Sequence, residues 1–136
     1  MIDLSSRTLL NKTFVADGIF SLVAGSVLIV GAERLAALVS RESSSASLIA
    51  LGVGLLLWGV FHIVSLRKGG PSVLATRISI GGDILWQIGS LVLLAAVYRS
   101  LTAIGIVLIV VAMIGVADFL FFKMKGASLA RMSPVV

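Results

Sequence analysis

Four long apolar stretches separated by short polar clusters dominate the chain. They run from about Phe14 to Gly31, Ser47 to Leu66, Ile78 to Tyr98 and Leu101 to Phe122. A hydrocarbon core of ~30 Å needs roughly 20 apolar residues at 1.5 Å per residue, and each stretch meets that length. The runs are continuous and lack the two-residue alternation of membrane-barrel strands, so they predict helices. The expected fold is all-α: a polytopic membrane protein with four transmembrane helices in an antiparallel bundle, forming a single domain over 1–136.

The connections differ in kind. Arg99-Ser100 makes a tight turn, which forces the third and fourth spans to be antiparallel neighbours. Arg67-Lys68-Gly69-Gly70-Pro71 is a basic, turn-forming loop between the second and third. Between the first and second, Leu35-Ala36-Ala37-Leu38-Val39 is too short to span and is expected in the interface, followed by the polar run Ser40 to Ser47. Two short words recur: Gly25-Ser26-Val27-Leu28 beside Gly89-Ser90-Leu91-Val92, and Ala50-Leu51-Gly52 beside Ala103-Ile104-Gly105. They would suit two hairpins of the same orientation.

Lys and Arg set the orientation. With a cytoplasmic N-terminus the inner side holds Arg7, Lys12, Arg67, Lys68, Arg77, Lys123, Lys125 and Arg131, and the outer side only Arg34, Arg41 and Arg99. Basic residues concentrate on the cytoplasmic side, so both termini are expected there. The first span is longer than a signal-peptide core and lacks a convincing small-residue cleavage site, so an uncleaved signal anchor is expected.

Composition agrees. Charged residues are 12%, about half the share of an average soluble domain, and the mean hydropathy is +1.17. The net charge of +5 follows from basic residues at span ends, where headgroups hold them; no nucleic-acid partner is expected. The lipid bilayer is the first partner. The absence of cysteine excludes disulfides, thiolate metal sites and thiol nucleophiles.

Charged groups inside lipid are costly and usually face a bundle interior. Every span carries one titratable candidate. Asp17 lies five residues past Lys12, His62 five before Arg67, Asp83 six past Arg77 and Asp118 five before Lys123, so all four share one depth, roughly 7–9 Å inside a basic collar. Helical phase predicts inward stripes: Asp17, Gly18, Ser21 and Gly25; Gly52, Leu55, Gly59 and His62; Asp83, Gln87 and Ser90 beside Trp86; Gly105, Leu108, Ala112, Gly115 and Asp118. The small residues are expected to pack helices, and Ser21, Gln87 and Ser90 to support the ionisable groups.

Two uses of such a cluster compete. Each carboxylate can meet a basic side chain reaching inward from the collar (Lys12, Arg77 or Lys123), with His62 hydrogen-bonding nearby, which fixes helix register. Alternatively Asp17, Asp83, Asp118 and His62 form a proton or cation site, since three carboxylates in a low-dielectric pocket cannot all stay ionised. Three Asp and one His could ligate Mn, Fe or Zn, but no close ligand spacing supports a metal, and none is assigned.

Trp58 and His62 stand four apart and can stack. His62 could supply one axial ligand to a haem or pigment, although a lone membrane histidine more often forms hydrogen bonds. Phe119, Phe121 and Phe122 read as lipid-facing or packing residues. Gly81-Gly82 lies within a span, outside the strand-loop-helix setting of a phosphate loop. With one histidine and no sizeable aqueous segment, neither enzymatic activity nor a resident cofactor is expected.

The run Phe14-Val15-Ala16-Asp17-Gly18-Ile19-Phe20-Ser21-Leu22-Val23-Ala24-Gly25, with Asp83-Ile84-Leu85-Trp86-Gln87-Ile88-Gly89-Ser90 and Leu101-Thr102-Ala103-Ile104-Gly105, resembles a group of small, uncharacterised bacterial four-helix integral membrane proteins. The resemblance implies a bacterial inner-membrane protein and brings no site residue with it. The expected role is an accessory or structural subunit of a membrane complex, or a homo-oligomer acting through helix contacts. The alternatives are a small proton- or cation-coupled transporter and a haem- or pigment-binding subunit.

Overall fold

The computed structural model describes residues 9–132, with side chains as far as Leu129. Five helices follow one another: α1 (Leu9–Val30), α2 (Ala32–Val39), α3 (Ser45–Val64), α4 (Val73–Val97) and α5 (Ala103–Met132). Four of them, α1, α3, α4 and α5 through Leu129, are long and apolar enough to cross a membrane. The expected antiparallel all-α bundle is therefore present. Its helices run further into polar sequence than the apolar stretches alone suggested. α1 starts before Phe14, α4 starts at Val73 and α5 continues past Phe122, because a helix satisfies its backbone internally whether its side chains meet lipid or headgroups.

Local chemistry sets several ends. Ser44 and Ser72 cap α3 and α4, their hydroxyls accepting from the Ser47 and Ala75 amides at 3.2 and 3.1 Å. Between those helices Gly69 has φ +86°, a conformation open to glycine at no steric cost. Asn11 Nδ2 donates to the Arg67 carbonyl at 2.6 Å, tying the start of α1 to this loop.

At the opposite end the two remaining connections join. Ser40 and Leu101 form an antiparallel bridge, with Arg41 N donating to Ser100 O at 3.1 Å and Thr102 N to Val39 O at 3.0 Å. The turn after α4 is thus longer than Arg99-Ser100, and α5 begins at Ala103 rather than Leu101, because this pairing holds Leu101 and Thr102 extended. Thr102 Oγ1 donates to Leu38 O and accepts from Gly105 N at 3.0 Å. A Cβ on Gly105 would run into the Val39 carbonyl, so Gly105 is a packing glycine as expected, against the end of α2. Thr102→Val is expected to cost about 1 kcal/mol, read as a melting temperature lowered by roughly 2–8 °C in detergent.

The closest helix pair is α1 with α3. A Cβ on Gly25 would lie 2.7 Å from the Gly52 carbonyl oxygen, one on Gly52 2.8 Å from the Gly25 oxygen, and one on Gly59 2.9 Å from the Gly18 oxygen. Gly25 faces Gly52 and Gly18 faces Gly59, as antiparallel helices require. α5 packs on the other side of α1, and α4 against α5. α3 and α4 close the ring through side chains: the Trp58 ring lies over Gly82 and His62 reaches Ser79.

Among the described residues the interior is more polar than the surface. Asn11, Thr13, Asp17, Ser21, His62, Thr76, Ser79, Asp83 and Lys123 are buried, while Val30, Leu57, Val64 and Leu85 are among the many exposed apolar side chains. In water that arrangement would leave the hydrophobic effect unused; in a bilayer it puts apolar groups against acyl chains. The chain is a multi-pass membrane protein.

Candidate functional site

The polar interior centres on an ion-pair network drawn from all four long helices. On α1, Asp17 and Ser21 lie one turn apart, and Ser21 Oγ donates to Asp17 Oδ1 at 3.1 Å. On α4 the same spacing puts Ser79 and Asp83 on one face. α3 contributes His62 and α5 contributes Lys123. The Lys123 ammonium donates to Asp17 Oδ2, and to Asp83 Oδ2 at 2.6 Å. Its nitrogen stands 3.2 Å from His62 Nε2. None of the four is more than 4% exposed.

His62 is held on every side. Nδ1 lies 2.8 Å from the Trp58 carbonyl oxygen, which can only accept, so Nδ1 carries a proton. Nε2 faces Ser79 Oγ at 2.7 Å and Asp17 Oδ2 at 3.2 Å. The ring is walled by Phe14, Trp58 and Phe61 with centroids at 4.8, 4.9 and 5.2 Å. Phe14 also offers its face to the Lys123 ammonium, 5.7 Å from the centroid.

Burying an isolated charge is prohibitive, whereas a paired and hydrogen-bonded one is tolerated. Here one ammonium serves two carboxylates. The count of Lys123 against Asp17 and Asp83 leaves one negative charge, which the Ser21 and Ser79 hydroxyls and the His62 ring surround with polar groups. With Lys123 at the centre, the position that a bound cation would take is filled by the chain itself. Among the described residues no group of three or more His, Cys, Asp or Glu is arranged to hold a metal ion. Both His62 nitrogens are engaged, which leaves no free lone pair for a haem iron or pigment magnesium.

Asp17, His62 and Asp83 therefore meet as expected, near the end of the bundle that holds the α3–α4 loop. Asp118 does not join them: it is exposed on the outer face of α5. The reason is helical phase. Five residues separate it from Lys123, a rotation of about 140°, so the two cannot both point inward. The expected α5 stripe advanced repeatedly by three residues and drifted off the packed face. Gly115, assigned to packing, would meet nothing within 4 Å if it carried a Cβ. The actual face holds Gly105, Lys123 and Gly126, the last packed on Leu10. Gly105 and Lys123 lie 18 residues, five full turns, apart, a spacing readable in the sequence.

The remaining assignments divide. Ser21 supports Asp17 as expected. Gln87 instead donates to the Met113 carbonyl at 2.7 Å, joining α4 to α5 beside an outward-opening hollow of about 420 Å³. Ser90 is partly buried a turn beyond it, outside the network. Ser79 was not singled out, although its spacing from Asp83 marks it. Of the collar residues, Lys12, Arg67, Lys68, Arg77 and Lys125 are exposed and Lys123 alone turns inward; Arg7 and the Arg131 side chain lie outside the described residues. The repeated words divide: Gly25 is packed while nothing stands within 4 Å of a Cβ on Gly89, whereas Gly52 and Gly105 are both packed against a neighbouring backbone.

A lipid-facing Asp118 is costly, by roughly 2.5–3.5 kcal/mol on insertion scales, and no ion pair offsets it among the described residues. Comparison with models of known families, with curated proteins and with solved structures found no match.

Proposed function

We propose that this chain is a non-enzymatic integral protein of a bacterial inner membrane, with both termini cytoplasmic, serving as an accessory or structural subunit of a membrane assembly or as a homo-oligomer. The observation that carries this reading is the seat of Lys123. A fixed internal ammonium between Asp17 and Asp83 makes the polar core a lock on helix arrangement, and a lock of this kind suits a scaffold. The orientation rests on charge: exposed Lys12, Arg67, Lys68, Arg77 and Lys125 gather at one end, against exposed Arg34, Arg41 and Arg99 at the other.

A second reading, a small proton-coupled transporter, is favoured by one feature. His62 Nε2 lies within 3.2 Å of Asp17, Ser79 and Lys123, a set able to pass one proton among its members. Proteoliposomes loaded with a pH-sensitive dye separate the two. The scaffold reading expects proton leak equal to that of empty liposomes, together with migration as part of a larger species in mild detergent. A pH-dependent flux that Asp83→Asn abolishes in a folded protein would replace it with the transporter.

A further inference from the structure

We propose that Asp118 is the docking point for a transmembrane helix of another protein carrying a lysine or arginine within its span. This rests on the subunit reading above and specifies the partner's chemistry. Asp118 is exposed on α5. Its neighbours three and four residues away, Ile114, Gly115, Phe121 and Phe122, are apolar or glycine, so no ion pair along the same helix can form. The nearest exposed cation on α5, Lys125, lies seven residues on, about 10 Å along the axis. Among the described residues no salt bridge joins the two, and the lean of helix side chains towards the N-terminus carries Asp118 deeper into the hydrocarbon.

The other cations are no better placed. Lys123 is committed to Asp17 and Asp83. Lys12 and Arg77 sit at the collar on α1 and α4, five and six residues short of the network level. A second copy of the chain, inserted in the same orientation, presents its cations at those same collar depths and leaves Asp118 equally unmatched. The missing charge must come from a different helix, with its cation about 10 Å inside the collar. The surface around Asp118 admits a helix: Val107, Val111, Ile114 and Phe122 are exposed on the same face, and Gly115 offers open space where a side chain would stand.

The test uses tryptophan-flanked polyleucine transmembrane peptides, one with a single lysine about 10 Å from its inner end and one without. Energy transfer from the labelled full-length protein to each labelled peptide is measured in liposomes. Wild type is expected to associate with the lysine peptide about ten-fold more tightly than Asp118→Asn does, and Asp118→Glu to retain the association. The all-leucine peptide should not distinguish the variants. Equal transfer to the lysine peptide from wild type and Asp118→Asn overturns the proposal. So does transfer between two labelled copies that Asp118→Asn abolishes without any binding of the lysine peptide. Asp118 lies outside the ion-pair network, so both variants should keep the wild-type melting temperature, and loss of peptide binding reports on docking alone. A negative peptide result with a protein that still migrates in a larger species would defeat this proposal and leave the subunit reading standing.

Discussion

Lys123→Met is expected to destabilise the bundle by about 3–5 kcal/mol, the usual result of removing one partner from a buried ion pair. Methionine fills much of the lysine's volume, so the loss is electrostatic: Asp17 and Asp83, at most 4% exposed, would face each other with no cation between them. Thermal unfolding in detergent should shift sharply downward, and trypsin should reach the α3–α4 loop faster. The triple variant Lys123→Met, Asp17→Asn, Asp83→Asn removes the charges together and should recover most of the loss, because neutral groups of similar size are not penalised in the same way. If the single variant melts with wild type, Lys123 is not the keystone.

The second large effect belongs to glycine. Gly25→Leu or Gly52→Leu should cost about 1–3 kcal/mol or more, since the first added carbon already lies 2.7 or 2.8 Å from a backbone oxygen of the facing helix. Backbone cannot rotate aside, so α1 and α3 must separate, and that motion pulls Asp17 from His62. Gly54→Leu, Gly89→Leu and Gly115→Leu supply the comparison: a Cβ at any of these meets nothing within 4 Å, and all three should melt near wild type. Equal damage at packed and open glycines would mean that the helices meet on other faces.

Much of the fold was legible because hydrophobic length is a direct physical requirement of the bilayer. The meeting of Asp17, His62 and Asp83 was legible for a related reason, as each lies on a face with small residues, and such faces turn inward. Asp118 was misplaced because depth alone does not decide facing. It shares a depth range with the others but sits about 140° around α5 from Lys123. Lys123 was harder to place because a lysine near a span end ordinarily snorkels to headgroups; only the longer course of α5 brings it inside. The pairing of Ser40 with Leu101 was out of reach, since it depends on two loops far apart in sequence arriving at the same end of the bundle.

The network itself is open to direct measurement. In isotopically labelled protein in lipid bilayers, solid-state NMR reads through-space transfer between a lysine side-chain nitrogen and nearby carboxylate carbons. Strong short-range transfer from Lys123 Nζ to the side-chain carboxyls of both Asp17 and Asp83, and none to Asp118, is the predicted spectrum. A Lys123 nitrogen that shows no carboxylate within reach, or one that pairs with Asp118, would contradict it.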